Sequence, residues 1–438
     1  MGDDSDWPIN RRSFLAGALS ATAGLSTPYT LTVVDDELTP TITSSEPTAT
    51  PAKQNDGCPH YPHSPRGEAP NPPDIITDWN KTVLVESPQR WAGRTSIVTL
   101  ESGTWILAYR EASRHPTNDG QIYLRFSDDE GRSWSADNTY LNGDPISFTG
   151  CPPEAGPDSD VGPGEPWLYC TPNGDLILHC WKVNYATRNH GTWQSRSTDG
   201  GQTWSEWQQV SFPDYTDDSV FATDDHFTVN GTIYAGARIG STAADLEKNV
   251  LIKSTDNAHS WQVVSEVTTY DENTSEIGIE YLGNGEIVVV ANNPDRKHTY
   301  YVRSSDMGES WTRPVKIEKQ TGVWDRPRLY SRRHLAAQSN TSTNSGWWEG
   351  DDILLGIGSW YQEPPQMSRV NALWISRDSG TSWDGPYPLD TRDEKDGGYG
   401  DIKQRSDGSY VVISYQGCIE EASVRQYEFS LDLSKLSD

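Results

Sequence analysis

The eight residues Ser197-Thr198-Asp199-Gly200-Gly201-Gln202-Thr203-Trp204 have the form Ser-x-Asp-x-Gly-x-(Ser/Thr)-Trp, and this form occurs five times. The other copies begin at Ser127, Ser254, Ser304 and Ser376. Only the copy at Ser254 departs, because Ala258 stands at its glycine position. A pattern repeated along a chain indicates a fold built from repeated structural units.

Each copy is predicted to be a hairpin turn between two outer strands. The Asp side chain can accept hydrogen bonds from the N–H groups of its own turn. Glycine supplies a positive φ, and the Trp is expected to pack back against the neighbouring unit. The residues before the copies, such as 122–126, 250–253 and 300–303, read as strands.

A second repeat runs in phase with the first. Glycine turns at 101–103, 172–174, 229–231, 283–285 and 406–408 precede apolar strands at 105–109, 176–178, 233–235, 287–290 and 410–413. A sixth apolar strand, 353–357, follows an insertion around 340–350. Six such units of four strands predict an all-β fold, a six-bladed β-propeller. Strand 82–85 is expected to supply the outermost strand of the last blade and so close the ring.

Composition excludes some functions. Sixty-three acidic residues against 35 basic ones give a formal net charge of −28, which argues against nucleic-acid binding. The acidic residues are scattered, so we interpret them as a solvated surface suited to high salt; an acidic secreted protein is the simpler alternative. The five cysteines lack metal-ligand spacing. Cys170 with Cys180, Cys58 with Cys418, and buried free thiols all remain open.

The first residues contain Asn10-Arg11-Arg12-Ser13-Phe14-Leu15 followed by a mild apolar run, which resembles a twin-arginine export signal. We therefore assign residues 1–30 to an export signal, 31–57 to a Thr/Ser/Pro-rich linker and 58–438 to the propeller. The expected location is secreted or extracellular, with no membrane span. We expect a monomer.

The box pattern resembles the Asp box, or bacterial neuraminidase repeat, of the sialidase superfamily, and the resemblance covers residues 80–432. It implies a sialidase-like propeller with five Asp boxes. In that family the boxes are structural and lie away from the active site. We therefore assign them no catalytic role.

The resemblance also implies a set of site residues. These are Arg94 in blade one, Asp119 before the first box, Glu276 at the start of blade four, Arg369 in blade five and Tyr399 in blade six. Thr-Ser follows Arg94 where the family has Ile-Pro. No cofactor and no catalytic metal are expected, and the expected partner is a glycan or sialoglycoconjugate substrate.

The implied mechanism is that of an exo-α-sialidase-like glycosidase. Tyr399 would be the nucleophile, one of the exceptions to the two-carboxylate scheme, and Glu276 would take its proton. Tyrosine suits a substrate that carries its own carboxylate at the anomeric carbon, because an anionic nucleophile would be repelled. Asp119 would be the acid and then the base. Arg94 and Arg369 would bind the substrate carboxylate.

Family sialidases use three arginines, and this chain departs at the second, where Asn292 stands. Arg296, four residues further on, is one candidate replacement. The equivalent positions in blades one and three carry Arg110 and Arg238, which are either substrate-binding residues or structural residues of the channel. Residues 324–328 open blade five and could present a tryptophan or an arginine.

Two other functions remain open. The departure at Asn292 leaves room for hydrolysis of a different exo-linked sugar on the same fold. A non-catalytic propeller that binds glycans is the third hypothesis, because fold alone does not decide function. Tyr399 paired with Glu276 would favour an enzyme over a lectin.

Overall fold

The computed structural model describes residues 74–436 with gaps. The residues left out inside this range are 87–89, 185–187, 214, 216–219, 222–224, 241–246, 270, 273, 294–297, 318–322, 332–352, 362–368, 391–395 and 419. The expected export signal, the linker, Cys58 and Arg296 lie outside the described residues. Among those described, the one helix is a 3₁₀ turn at Leu433–Lys435, and no helix has the length and apolarity needed to cross a bilayer.

The described chain is otherwise a succession of 25 strands. The first four are β1 (Ile76–Val85), β2 (Trp91–Thr99), β3 (Trp105–Ala112) and β4 (Gln121–Ser127). The next are β5 (Gly162–Pro163), β6 (Trp167–Cys170), β7 (Leu176–Asn184), β8 (Arg188–Ser197) and β9 (Gln208–Gln209). Then follow β10 (Val220–Phe221), β11 (His226–Val229), β12 (Thr232–Gly240), β13 (Glu247–Ser254) and β14 (Gln262–Glu266). The second half contains β15 (Ile277–Gly283), β16 (Glu286–Asn292), β17 (Thr299–Ser304), β18 (Val315–Lys316), β19 (Val323–Ser331), β20 (Leu354–Tyr361), β21 (Arg369–Ser376) and β22 (Asp384–Pro388). The last three are β23 (Asp396–Gln404), β24 (Tyr410–Gly417) and β25 (Ala422–Leu431).

These strands form an all-β, propeller-like fold of five hydrogen-bonded sheets. Four sheets are separate antiparallel blades, made of β5 to β9, β10 to β14, β15 to β18 and β19 to β22. The other seven strands form one sheet. The prediction of six separate blades is therefore confirmed only in part, because the expected first and last blades share a sheet. A single parallel bridge from Trp91 to Ala422 joins them.

The N-terminal strand closes the last group of strands, as predicted. β1 runs antiparallel to β25, from the pair Ile76 and Leu431 to the pair Val85 and Val424. The outermost strand therefore comes from the beginning of the described chain and its neighbour from the end. This overlap joins the two ends of the propeller by backbone hydrogen bonds.

All five Asp boxes form the predicted turn. In each, Asp Oδ1 accepts from the serine hydroxyl two residues before it and from the backbone N–H four residues after it, over 2.7–2.9 Å. Oδ2 accepts from the Ser or Thr hydroxyl at 2.6 Å. The turn thus satisfies its polar groups within eight residues, which explains why a short pattern specifies it.

The boxes also pack each sheet against the preceding one. The glycine position has φ between 79° and 93° in four boxes and 63° at Ala258. A Cβ added at Gly308 would meet the side chain of Leu251 in the preceding sheet. Trp311 Nε1 donates to Ser265 Oγ, also in that sheet, over 2.8 Å. Both the glycine and the tryptophan of this box are therefore needed at a contact between blades.

Buried polar side chains tie the first strands of the sheets together. Asp225 accepts from the backbone N–H of Ile279 at 3.4 Å and of Leu329 at 3.1 Å. Asp401 accepts from the N–H of Ile97 at 2.7 Å. These contacts link β15 with β19 and β2 with β23. The inner strands that position the site are therefore held by side chains as well as by apolar packing between sheets.

The cysteines resolve two of the open alternatives. Cys151, Cys170 and Cys180 are free thiols, so Cys170 and Cys180 do not pair; they are not opposite each other in the ladder of β6 and β7. Cys418 is disulfide-bonded. Cys58, its partner in one of the alternatives left open, lies outside the described residues.

Candidate active site

Three first strands share one irregularity, a β-bulge in which a non-glycine residue has a positive φ. The register shifts lie in β2 after Gly93, in β19 after Asp325 and in β23 after Gly398. Within the bulges, φ is 60° at Arg94, 58° at Arg326 and 48° at Tyr399. Such φ values are costly for residues with side chains, and bulges re-aim a side chain. The three bulges therefore mark a candidate functional site.

The three bulged residues meet. Arg94 Cζ lies 3.8 Å from the centroid of the Tyr399 ring, and Arg326 Cζ lies 4.6 Å from it. All three residues are buried, with relative exposures of 4–7%. Two cations against one ring stabilise any negative charge that develops on its phenol oxygen.

Tyr399 and Glu276 are in direct contact. The Tyr399 hydroxyl donates to Glu276 Oε1 over 2.6 Å. Burial raises the pKa of Tyr399 well above its ordinary value; Arg94 opposes this rise, whereas Glu165 and Glu276 add to it. Tyr399 is therefore a neutral phenol at rest, and Glu276 is in position to take its proton.

Asn292 holds the Glu276 carboxylate. Its Nδ2 donates to Glu276 Oε2 over 2.8 Å and to Asp325 Oδ1 over 2.6 Å. Its Oδ1 accepts from the backbone N–H of Glu276 at 3.0 Å. Asn292 is fully buried. Asn292 therefore holds the Glu276 carboxylate in place, rather than presenting its amide to a ligand as a substrate-binding residue would.

A buried carboxylate, Asp396, lies at the centre of the arginines. Its Oδ1 accepts from NH1 of Arg326 at 2.9 Å, from NH1 of Arg369 at 3.1 Å and from the Tyr415 hydroxyl at 3.0 Å. Its Oδ2 accepts from Trp91 Nε1 at 3.1 Å. Arg369, predicted from the sequence, is thus in the cluster, and its immediate partner is a protein carboxylate.

The loop before β4 reaches this cluster through His115. Its Nδ1 lies 3.0 Å from Asp396 Oδ2, and its Nε2 lies 2.9 Å from NH2 of Arg94. Because arginine only donates, Nε2 accepts and Nδ1 carries the proton. Burial lowers the pKa of His115 to about 3, and Asp396 offsets only part of this effect. The imidazole is therefore neutral at physiological pH.

Asp119, the predicted acid, is held inside the same loop. Its carboxylate accepts from the Ser113 backbone N–H at 3.2 and 3.3 Å and from the Thr117 hydroxyl. Burial alone would raise the pKa of Asp119, but these hydrogen bonds outweigh it and lower the pKa. Within the described residues, Asp119 has no hydrogen bond to Tyr399 or Glu276.

Glu165 connects two of the predicted arginines. It forms an ion pair with NH1 of Arg94, and its Oε2 lies 3.7 Å from NH2 of Arg238. Arg238 also lies 3.8 Å from Glu247. Glu165 is only 3% exposed. The structure therefore places Arg238 at the edge of the cluster, beside carboxylates.

Comparisons with known proteins agree with this architecture. Residues 79–232 match the family described as a BNR repeat-like domain. No curated protein matches the chain in sequence. The chain has a sialidase-like BNR-repeat propeller fold.

Several solved structures resemble this sialidase-like propeller. A protein of unknown function from Dyadobacter fermentans has a TM-score of 0.63 at 14% identity, over 82% of this chain and 100% of that one. The intramolecular trans-sialidase of Ruminococcus gnavus has a TM-score of 0.58 at 13% identity, over 82% and 98%. An α-L-arabinofuranosidase from Fusarium graminearum has a TM-score of 0.52 at 15% identity, over 83% and 98%. At these low identities, the similarity shows a shared fold and nothing about activity.

Arg110 supports the loop that contains Asp119. Its Nε donates to the Pro163 carbonyl at 2.8 Å and its NH2 to the Thr117 carbonyl at 2.5 Å. It is 1% exposed. Of the two alternatives left open for Arg110, this geometry favours the structural one.

Sequence reasoning missed His115, Glu165 and Asp396. Arg326 belongs to the opening of blade five, residues 324–328, where the sequence indicated either a tryptophan or an arginine. Trp324 is completely buried, so of the two residue types considered there, it is the arginine that enters the site. Among the described residues, no group of three or more His, Cys, Asp and Glu side chains has metal-binding geometry.

Proposed function

We propose that this sialidase-like propeller is a glycoside hydrolase in which Tyr399 attacks the anomeric carbon of a terminal sugar. The observation that carries the proposal is the 2.6 Å hydrogen bond from the Tyr399 hydroxyl to Glu276 beneath Arg94. A lectin would have no need of a buried phenol poised against a base. Glycosidases among the structural neighbours, a trans-sialidase and an arabinofuranosidase, support the same class.

The reaction proceeds by two displacements. Tyr399 Oη forms a bond to the anomeric carbon as its proton passes to Glu276, and the glycosidic C–O bond breaks. Water then attacks the same carbon, the bond to Tyr399 breaks, and the phenol regains its proton from Glu276. Two inversions retain the anomeric configuration. Arg94 and Arg326 stabilise the phenolate character in both steps.

Asp119 is the proposed acid and base for the leaving group and the water. Its lowered pKa makes it ionised at neutral pH when the site is empty. We expect a substrate to displace the Thr117 hydroxyl from Asp119, which raises the pKa of the carboxyl into the range useful for proton donation. The leaving alcohol then takes this proton.

The sequence-based form of the proposal names exo-linked sialic-acid-like residues as the substrate, with Arg94 and Arg369 bound to their carboxylate. Hydrolysis of another exo-linked sugar is the second candidate. It is favoured by one observation, the contact of Arg369 with Asp396 and Asp325. Arg369 therefore already has two protein carboxylates as partners.

We also infer six blades, counting the seven-stranded sheet as two. β2, β3 and β4 form one antiparallel group, and β23, β24, β25 and β1 form another, with only the Trp91 to Ala422 bridge between them. Export by the twin-arginine route, a monomeric state and tolerance of high salt remain proposals. Detection of the processed protein outside cells with an intact Arg11-Arg12 pair, and its loss after replacement by Lys-Lys, tests the export route.

The test measures hydrolysis of fluorogenic aryl glycosides by the full chain at low and at molar salt. The variants Tyr399→Phe, Glu276→Gln and Asp119→Ala are assayed in parallel. Tyr109→Phe is the matched control, because Tyr109 is equally buried but packs on Tyr123 in another core cluster. We expect the first three variants to lose activity by at least about 10²-fold with unchanged melting temperature. Full activity in Tyr399→Phe would exclude tyrosine as the nucleophile.

A further inference from the structure

Every arginine of the candidate site already faces a carboxylate of the protein. The ion pairs are Arg94 with Glu165, Arg238 with Glu165 and Glu247, Arg326 with Asp396, and Arg369 with Asp396 and Asp325. None of these side chains is more than 17% exposed. With Glu276 included, four guanidinium groups stand against five carboxylates. Such a cluster has no excess of positive charge with which to bind an anion.

Asp396 receives the contacts that a bound carboxylate would need. Two guanidinium groups, two hydroxyl or indole donors and one imidazole surround its oxygens at 2.9–3.1 Å. It is 2% exposed. A carboxylate on the substrate would have to displace Asp396 from these donors or remain unpaired beside it. Either event costs free energy, because two carboxylates in a buried site repel each other and a buried charge without a partner is poorly solvated.

One buried acceptor in the same cluster has no hydrogen-bond donor. Glu165 Oε2 accepts no hydrogen bond among the described residues, although Arg238 lies 3.7 Å from it. A sugar hydroxyl is the type of group that donates to such an oxygen and accepts from a neighbouring guanidinium. The cluster therefore offers polar contacts to hydroxyls where it offers none to an extra anion.

We propose that the site binds a glycoside without a carboxylate at the anomeric carbon, and that Asp396 occupies the position which the substrate carboxylate takes in a site for acidic sugars. This rests on the proposed function, since it names the substrate class of that same site. It also accounts for a tyrosine nucleophile without an anionic substrate. A carboxylate at position 399 would add another anion beside Glu165 and Glu276, whereas a phenol stays neutral until it reacts.

The first part of the test compares aryl glycosides of neutral pentoses and hexoses with an aryl sialoside and an aryl glucuronide. We expect hydrolysis of a neutral glycoside, with the two acidic ones at least about 100-fold slower, as like-charge rejection predicts. A sialoside or glucuronide as the best substrate would overturn the inference and leave the proposed function standing. No hydrolysis of any compound would count against the proposed function, and the binding measurement below then decides the inference.

The second part measures binding of 2,3-dehydro-2-deoxy-N-acetylneuraminic acid, a carboxylate-bearing sugar analogue, to the unmodified chain and to Asp396→Asn. Removing the Asp396 charge leaves Asp325 as the remaining carboxylate beside Arg326 and Arg369, so the variant should bind the analogue at least about tenfold more tightly. Asp390→Asn is the control, because Asp390 is an equally buried carboxylate paired with Lys81 and Arg425. Its affinity should not change.

If Asp396→Asn does not fold, Glu165→Gln serves instead, since it removes the carboxylate that pairs with Arg94 and leaves Arg238 with Glu247 alone. Tighter binding of the analogue by either variant supports the inference. Binding by the unmodified chain that equals or exceeds that of the folded variant would overturn it, whether or not the protein hydrolyses any glycoside.

Discussion

The guanidinium of Arg94 lies over the ring of Tyr399, with Cζ 3.8 Å from the ring centroid. Both residues sit in β-bulges at positive φ, on strands from the beginning and the end of the propeller. Because the contact is buried, the cation interacts with the ring with little screening by water. The contact therefore bears on the acidity of the phenol more than on substrate affinity.

Arg94→Met should lower kcat by about 30-fold. This factor corresponds to the loss of roughly 2 kcal/mol with which a desolvated cation stabilises the negative charge that develops on the Tyr399 phenol. Loss of the cation raises the pKa of Tyr399 further, so the variant should need a higher pH to reach its maximal rate. Arg94→Lys keeps the charge and should retain most of kcat. Steady-state kinetics across pH 5–9 separate these effects.

Arg125→Met is the control for Arg94→Met, because Arg125 Cζ lies 5.8 Å from the Tyr109 ring in another part of the same sheet. It should leave kcat unchanged. A rise in KM at constant kcat in Arg94→Met would contradict the prediction and assign Arg94 to binding alone.

Asn292→Asp should shift the acid limb of the pH–rate profile to higher pH. The new carboxylate would lie against Glu276 Oε2 and Asp325 Oδ1, whose distances from Asn292 Nδ2 are 2.8 and 2.6 Å. Like charges so close raise the pKa of Glu276, so a larger fraction of the base is protonated at a given pH. We expect a shift of at least about one pH unit.

Asn371→Asp provides the comparison for Asn292→Asp. The Asn371 amide donates to the Tyr415 carbonyl and the Tyr427 hydroxyl at 3.0 Å each. Its replacement should lower stability without moving the pH profile. An unshifted profile in Asn292→Asp would show that Asn292 does not control Glu276.

Ala258→Gly should stabilise the protein. Ala258 has φ 63° in the one Asp box that lacks glycine, and relief of this strain is worth about 0.5–1 kcal/mol. Gly308→Ala should destabilise it by about 1–3 kcal/mol, because a Cβ there meets Leu251 and φ is 82°. Chemical denaturation of both variants measures the difference; equal effects of the same sign would contradict this account of the box.

His179→Gln should reduce the loss of stability in mild acid. Burial lowers the pKa of His179 to about 4, below its ordinary value of 6.5. The unfolded chain therefore binds a proton that the native state does not, and stability falls by up to about 1.4 kcal/mol per pH unit as pH drops from 6.5 to 4. Melting temperatures from pH 7 to pH 4 should fall less steeply in the variant. Parallel curves would contradict the assigned pKa.

The Asp boxes could be predicted because their contacts are local. Within each box, the serine, the aspartate and the following hydroxyl satisfy one another over eight residues, so a short pattern contains the whole interaction. The hairpins and the closing strand followed from the same kind of local signal. The joining of the first and last groups of strands into one sheet could not be predicted. It depends on a single bridge between Trp91 and Ala422, which produces no sequence pattern in either segment.

The site could be predicted only where a known pattern supplied the position. Tyr399 and Glu276 meet as the resemblance implied. Asp396 could not be anticipated, because its partners His115, Arg326 and Arg369 stand 281, 70 and 27 residues away. Nothing in the local sequence of Asp396 indicates that a bulge on another strand will aim an arginine at it.

The pairing of β1 with β25 has a mechanical consequence. The ladder starts where the described chain begins and ends, since Ile76 lies opposite Leu431 and the Asp432 N–H donates to the Ile75 carbonyl. Tension applied to these two ends pulls across the hydrogen bonds, which lie perpendicular to the strands, and opens them one pair at a time. In a single-molecule pulling experiment, we expect this ladder to open gradually at low force. A single high force peak at this step would contradict the prediction. The strength of this closure therefore depends on the direction in which force is applied to it.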